Sequence, residues 1–262
     1  MSLLKELKIF VKNILCWILS FVGFSFFFFA FGLKKVVIFG ENYFLPLPTE
    51  NSFSVQVFKR IRSDLLPSNV QLIATNPMSA FIAQILLSLL LGFLLTTPFF
   101  LYKIIMYLRP ALLSHERRAV VWSLFPFAFL FFSGSAFAYF FLIPATFKTL
   151  YPYTAAIGAI PFFSINEFMY YVFGLTVTTG IMFLLPLFMA LLSILGIIPA
   201  WVWKKNWQYA CFLFLVLAAI ITPDGTGVTM ILLFIPLALL YFTGYFFAAK
   251  ISNRQAIEQR SN

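Results

Sequence analysis

The sequence predicts an all-α integral membrane protein: six transmembrane helices, kinked by prolines into a concave bundle, with both termini in the cytoplasm. Three observations carry that reading. Of 262 residues, 62% are hydrophobic and only 10% are charged, against roughly 45–50% and about 25% in soluble domains. Such a chain cannot cover its apolar surface with polar groups, so lipid is its solvent. The apolar residues fall into six long runs without Lys, Arg, Asp or Glu. The Lys and Arg residues crowd onto one side of those runs.

The six runs are Asn13–Leu33, Pro77–Tyr102, Ala119–Phe147, Phe168–Trp203, Asn206–Pro223 and Gly225–Ala249. A helix needs about 20 apolar residues to cross a hydrocarbon core of roughly 30 Å. The expected spans are 14–33, 79–102, 119–146, 168–195, 207–222 and 228–249 of a single polytopic domain, 1–262. The fourth run also holds an interfacial stretch around Ile198–Trp203, and the fifth span is short. Backbone in lipid must satisfy its own hydrogen bonds, which selects helices. No segment alternates polar and apolar residues as a barrel strand does. Prolines inside the spans, at 98, 126, 144, 186 and 236, remove backbone donors and bend the helices.

Charge sets the orientation. Three basic residues lie in 1–13, four in 103–118, two at 204–205 and three after Ala249, with Glu6, Glu116 and Glu258 as the acids on that side. The opposite side holds six basic and five acidic residues, five of the six basic ones in the long outer loop, 34–76. Enrichment in Lys and Arg marks the cytoplasmic face. The formal net charge of +10 is therefore a topology signal, and no basic stripe argues for nucleic acid. Within the outer loop, Phe53, Val57 and Ile61 recur at helical spacing among basic residues, an amphipathic helix lying on the surface. The N-terminus has no small-residue cleavage pattern, so no removed signal peptide is expected. Cys16 and Cys211 sit in apolar runs and are expected to be inert packing thiols without a disulfide.

Catalytic and metal-binding constellations are absent from the sequence. The one histidine, His115, lies beside Glu116, Arg117 and Arg118, and no HExxH, paired-cysteine or phosphate-loop motif occurs. The expectation is a non-enzymatic protein without cofactor or metal. A solute transporter or permease subunit is the alternative, but such proteins keep ionisable groups inside their spans; these spans hold none. Solute uptake by the purified protein alone would favour it. A membrane-embedded enzyme lacks any candidate base. Ser133-Gly134-Ser135 reads as a small-residue packing face. Thr176, Thr178 and Thr179 with Gly180 form the most polar cluster inside a span. Its readings are helix packing with back-bonding or a polar contact for a partner helix. Glu6 and Glu116 each stand among basic residues at the cytoplasmic boundary. They read either as local charge balance or as receptors for a guanidinium ligand, which pairs with a carboxylate through two hydrogen bonds.

RPALLSHERRAVV (Arg109–Val121) resembles the first cytoplasmic loop of the TatC family, the multi-spanning receptor subunits of the twin-arginine protein translocase. SAFAYFFLIPATF (Ser135–Phe147) is similar to that family's third helix. ITPDGTGVTMILLFIPLALLY (Ile221–Tyr241) is similar to its turn between helices five and six. LIATNP (Leu72–Pro77) and TTPFFLYK (Thr96–Lys103) resemble the ends of helix two. The resemblance implies a six-helix fold with short fifth and sixth helices, an inner-membrane location, and transport powered by the proton gradient. It implies recognition of twin-arginine signal peptides on folded cargo, single-span TatA- or TatB-like partners, and a homo-oligomeric active complex in membrane lipid. It places signal-peptide binding on Glu6, Lys8, Tyr107, Glu116 and Arg117. Lys8 stands where the family has Arg, and Tyr107 where Phe is usual. Pro98, Tyr139, Pro144, Pro223 and Asp224 match structural positions. Departures fall on the polar site for partner helices: Leu184 or Leu185 replaces a Glu, Met230 a Gln, and Phe242 an acid. Thr176 and Thr179, with Met230, are the remaining candidates for that contact.

Overall fold

The computed structural model describes residues 3–38, 41–48, 51–66, 70–108, 124–156, 158, 162–194, 196–222 and 227–261. Five helical stretches are long and apolar enough to cross a membrane: Phe10–Ala30, Ser79–Ile104, Leu124–Thr154, Ile165–Ile194 and Val228–Lys250. A sixth apolar helix, Trp207–Ile221, is shorter. The chain is thus a mostly helical, multi-pass membrane protein. It divides into two compact units, residues 1–107 with 151–174, and residues 108–150 with 175–262.

The first unit begins with α1 (Leu3–Ala30), whose helix starts ahead of the apolar run and takes in Lys5, Glu6 and Lys8. It packs beside α3 (Ser79–Leu108). At the crossing, a Cβ added to Gly92 would lie 3.1 Å from the Ser25 nitrogen and 3.2 Å from its Cα. Only glycine permits that approach, the small-residue contact membrane helices use where lipid removes the hydrophobic drive. On one side of the crossing, the Trp17 ring lies 4.4 Å from Phe100. On the other, Phe29 meets Phe81 edge to face at 5.7 Å. Cys16 is on the exposed side of α1, not in a packed interior, because packing against α3 uses other faces of the helix.

The segment 31–66 departs most from the expected outer loop. The strands β1 (Phe31–Ile38) and β2 (Glu41–Pro48) pair antiparallel, Phe31 opposite Pro48 and Ile38 opposite Glu41. Val36, Val37, Ile38, Tyr43 and Phe44 favour strands, and the prolines of β2 are tolerated because a two-stranded ribbon is all edge. Then α2 (Phe53–Leu65) follows, capped by Ser52, whose Oγ accepts from the Val55 N–H at 3.5 Å. Its Ile61 and Leu65 are buried and its Lys59 and Arg60 exposed. A short parallel pair, β3 (Gln71–Ile73) with β4 (Phe162–Ser164), ties this segment to the start of α6 (Ile165–Met182).

The second unit holds α4 (Leu124–Phe137), a π-helical turn (Ala138–Leu142) and the start of α5 (Ile143–Ala156). The wide turn precedes Pro144. Proline has no N–H to give Phe140, and its ring crowds that carbonyl. The helix adds a residue there, and the Ile143 N–H reaches back to Ala138. The fourth span is likewise interrupted. α6 ends at Met182 and α7 (Leu185–Ile194) begins just before Pro186, with Leu184 bonding back only three residues, to Ile181, at 3.1 Å. Pro98 and Pro236 are instead absorbed inside α3 and α10 (Val228–Ser261). At Pro98, the Thr97 hydroxyl donates to the Phe93 carbonyl at 2.7 Å and Thr96 to Gly92 at 2.8 Å. These are back-bonds to the two carbonyls before that of Leu94, whose helical donor Pro98 removes.

Within this unit, α10 packs on α7, where a Cβ at Gly244 would come within 2.7 Å of the Pro186 Cα. It also packs on α9 (Trp207–Ile221), Phe214 meeting Tyr241 at 5.9 Å. α8 (Ala200–Lys205) joins α7 to α9.

Candidate functional site

Two places bring the candidate residues together. In the first unit, the start of α1 lies against the end of α3, with Phe10, Asn13 and Ile14 facing Phe100, Lys103 and Ile104 across a narrow crevice. Glu6 is one helical turn beyond Phe10, and Tyr107 one turn beyond Lys103. The backbone therefore carries Glu6 and Tyr107 to the same end of the unit, where α3 hands over to the 109–118 segment. Lys8 is exposed there, and the Lys103 ammonium lies 5.1 Å from the Phe99 ring centre. Glu116 and Arg117 lie outside the described residues, as do Pro223 and Asp224.

The second place is the α4–α6 contact of the other unit. An added Cβ at Gly134 would meet Phe183 Cγ at 2.6 Å and the Thr179 carbonyl at 2.8 Å. At Gly180 it would meet Ser135 Oγ at 2.6 Å. The Ser135 hydroxyl donates to the Thr176 carbonyl at 3.4 Å. Ser133-Gly134-Ser135 thus provides a packing face, and the threonine cluster is what it packs on. Thr176 and Thr179 are buried, at 4% and 0% exposure, and neither side-chain hydroxyl has a hydrogen-bond partner among the described residues. Of the two readings, the packing is there without the back-bonding, and the two threonines do not stand on an open helix face. Met230, in the first turn of α10, is half-buried. Leu184 is buried and Phe242 is 39% exposed. Tyr139 sits in the π turn, 5.0 Å from the Phe140 ring, and Pro144 just after it; both are half-buried.

Sequence reasoning missed a polar anchor in the first unit. Gln84 of α3 donates to Ser52 Oγ at 2.9 Å and to the Phe29 carbonyl at 3.3 Å, and the Ser52 and Ser54 hydroxyls are 2.8 Å apart. A single amide inside the second span was its one sequence signal. Beside it, Ser54, Phe58, Pro77, Phe81, Gln84 and Ile165 line a largely apolar cavity of about 370 Å³. Among the described residues, no group of three His, Cys, Asp or Glu could hold a metal ion.

The model of the family of Sec-independent protein translocase proteins (TatC) matches residues 2–236. The chain belongs to the TatC family. Among its relatives is the Sec-independent protein translocase protein TatC of Cenarchaeum symbiosum, 32% identical over 227 residues, covering 86% of each chain. The TatC of Aquifex aeolicus is 33% identical over 210 residues, 79% of this chain and 86% of that one. A crystal structure of the twin arginine translocase receptor TatC superposes with a TM-score of 0.74 at 28% identity, covering 94% of this chain and 99% of that chain. The TatC fold accounts for the order of helices, including the short one at Trp207–Ile221.

Proposed function

We propose that this TatC protein is the non-enzymatic receptor and core subunit of a twin-arginine translocase in the cytoplasmic membrane, with both termini in the cytoplasm. Glu6 and Glu116 hold the two arginines of a signal peptide on folded cargo. A paired guanidinium–carboxylate contact is strong and directional, and Tyr107 adds an aromatic surface beside it. Lys8 and Arg117 flank the carboxylates and keep the rim from holding cations at random. The apolar part of the signal peptide then enters the bundle, TatA- or TatB-like single-span proteins assemble on it, further copies of the chain join, and the proton gradient drives transport. Thr176, Thr179 and Met230 were the expected partner contacts. With both threonines in the α4–α6 packing, Met230 is the one left able to meet a partner helix directly.

The observation that supports this reading is that α1 and α3 meet at Phe10, Asn13 and Ile14 against Phe100, Lys103 and Ile104, about one helical turn short of Glu6 on α1 and of Tyr107 on α3, beyond which the segment carrying Glu116 begins. Site-specific crosslinking tests it: Glu116→Ala should abolish capture of a twin-arginine peptide while the protein still inserts, and unchanged capture would sink the proposal.

A further inference from the structure

The second unit contains a cavity at the junction of α8, α9 and the later turns of α10, of about 320 Å³, lined by Trp203, Lys204, Trp207, Tyr241, Phe242 and Phe246 among others. Its volume is at the low end of ligand sites, which run from about 300 to 1,000 Å³. Signal-peptide recognition uses none of these residues. The walls are held in place: the Tyr241 hydroxyl donates to the Trp203 carbonyl at 2.7 Å, and the Trp203 indole N–H to Ser193 Oγ at 3.1 Å. Ser193 in turn donates to the Ile198 carbonyl at 2.9 Å, fixing the turn before α8. Trp207 and Phe242 are 6.1 Å apart and stay 43% and 39% exposed. A rigid wall of this kind costs little to order when something binds.

We propose that this cavity binds the headgroup and glycerol region of an anionic phospholipid. Two observations point to that occupant. Lys204 at its rim and neighbouring Lys205 are both exposed, and neither forms an ion pair with a described residue. They are also the only charged residues between the fourth and fifth apolar runs, so they mark the height of the headgroups. Trp201, Trp203 and Trp207 flank them in the chain, the residue type that sits where acyl chains meet headgroups. A compact ammonium pairs with a phosphodiester, while the aromatic rings face the glycerol and upper methylenes. An apolar partner helix would leave both lysines without a counter-charge. Basic pockets between membrane helices select anionic headgroups for the same reason. Placing the site in the cytoplasmic leaflet rests on the orientation proposed above; the binding itself does not.

Tryptophan quenching by brominated lipid tests this with the full chain in phosphatidylcholine nanodiscs. The probes are acyl-brominated phosphatidylglycerol and acyl-brominated phosphatidylcholine at equal mole fraction. The wild type should be quenched at lower fractions of the anionic probe. Lys204→Gln with Lys205→Gln should remove that preference, each lysine accounting for roughly fivefold in apparent affinity. Trp203→Phe with Trp207→Phe should delete the headgroup-dependent part of the signal, while quenching of Trp17, Trp122 and Trp201 persists. Equal quenching by both probes in the wild type would overturn the proposal. So would a preference that survives in the lysine double variant, or a photoreactive residue at position 246 that captures a protein and excludes the lipid. Peptide capture at Glu116 is a separate measurement, so the two proposals fail independently.

Discussion

Gly134→Ala tests the packing of the second unit on a single methyl group. That methyl would sit 2.6 Å from Phe183 Cγ, 2.7 Å from its Cβ and 2.8 Å from the Thr179 carbonyl oxygen. Carbon atoms rest at about 3.5–4.0 Å, so α4 and α6 must part by roughly 1 Å or Phe183 must leave its place. Overpacking of this kind costs about 1–3 kcal/mol. Alanine's better helix propensity returns at most about 1 kcal/mol. The net loss is then on the order of 1–2 kcal/mol, around tenfold in the unfolding equilibrium. Gly23→Ala is the control, because nothing lies within 4 Å of an added Cβ there, and propensity alone should make it neutral or mildly stabilising. Melting of the two variants in one mild detergent separates them: Gly134→Ala should melt below the wild type and Gly23→Ala should not. A Gly134→Ala protein as stable as Gly23→Ala would refute the close α4–α6 contact, and with it the burial of the threonine cluster.

Three further outcomes follow from the same geometry. Thr179→Val removes a buried hydroxyl that has no partner among the described residues, so melting should occur at or above the wild-type temperature, and a clear drop would show the hydroxyl to be bonded. Gln84→Leu breaks the bonds to Ser52 and Phe29 and leaves the buried Ser52–Ser54 pair short of a donor; it should cost about 1–3 kcal/mol, read as faster amide exchange in α2. The 15 residues of α9 rise only about 22 Å, short for an ordinary bilayer, and a span of that length is accommodated by thinning the bilayer locally or tilting its neighbours. Inserting four leucines after Leu217 adds about 6 Å and should impair cargo transport while the complex still assembles; normal transport would dismiss local thinning as part of the mechanism.

The long helices were legible because lipid leaves the backbone no alternative to internal hydrogen bonds, so uncharged runs of sufficient length translate directly into helix. The helix at Phe53–Leu65 was legible for a different reason, its apolar spacing among basic residues. The hairpin at Phe31–Pro48 was not. Its first strand opens inside the apolar run of α1, which ends only at Leu33, and Pro46 and Pro48 argue against a strand unless the ribbon is known to be all edge. The prolines marked where the third and fourth spans depart from regular helix, at the π turn before Pro144 and the break before Pro186. They did not mark which would stay within one helix, as Pro98 and Pro236 do. The threonine cluster was recognised as polar, but whether it faced a partner or the interior hung on Gly134 and Gly180, two residues whose contribution is an absent side chain. The carboxylates of the proposed receptor site were legible only through charge placement and family resemblance, and Glu116 lies outside the described residues.

The central claim is that Glu116 reads arginine as arginine. Its most direct measurement is the equilibrium affinity of the full chain, in nanodiscs, for a twin-arginine signal peptide and for the same peptide with both arginines changed to lysine, each on wild type and on Glu116→Ala. A bidentate carboxylate–guanidinium contact predicts a wild-type preference for the arginine peptide of roughly tenfold or more, falling towards one in Glu116→Ala. An equal preference in both proteins would contradict the account.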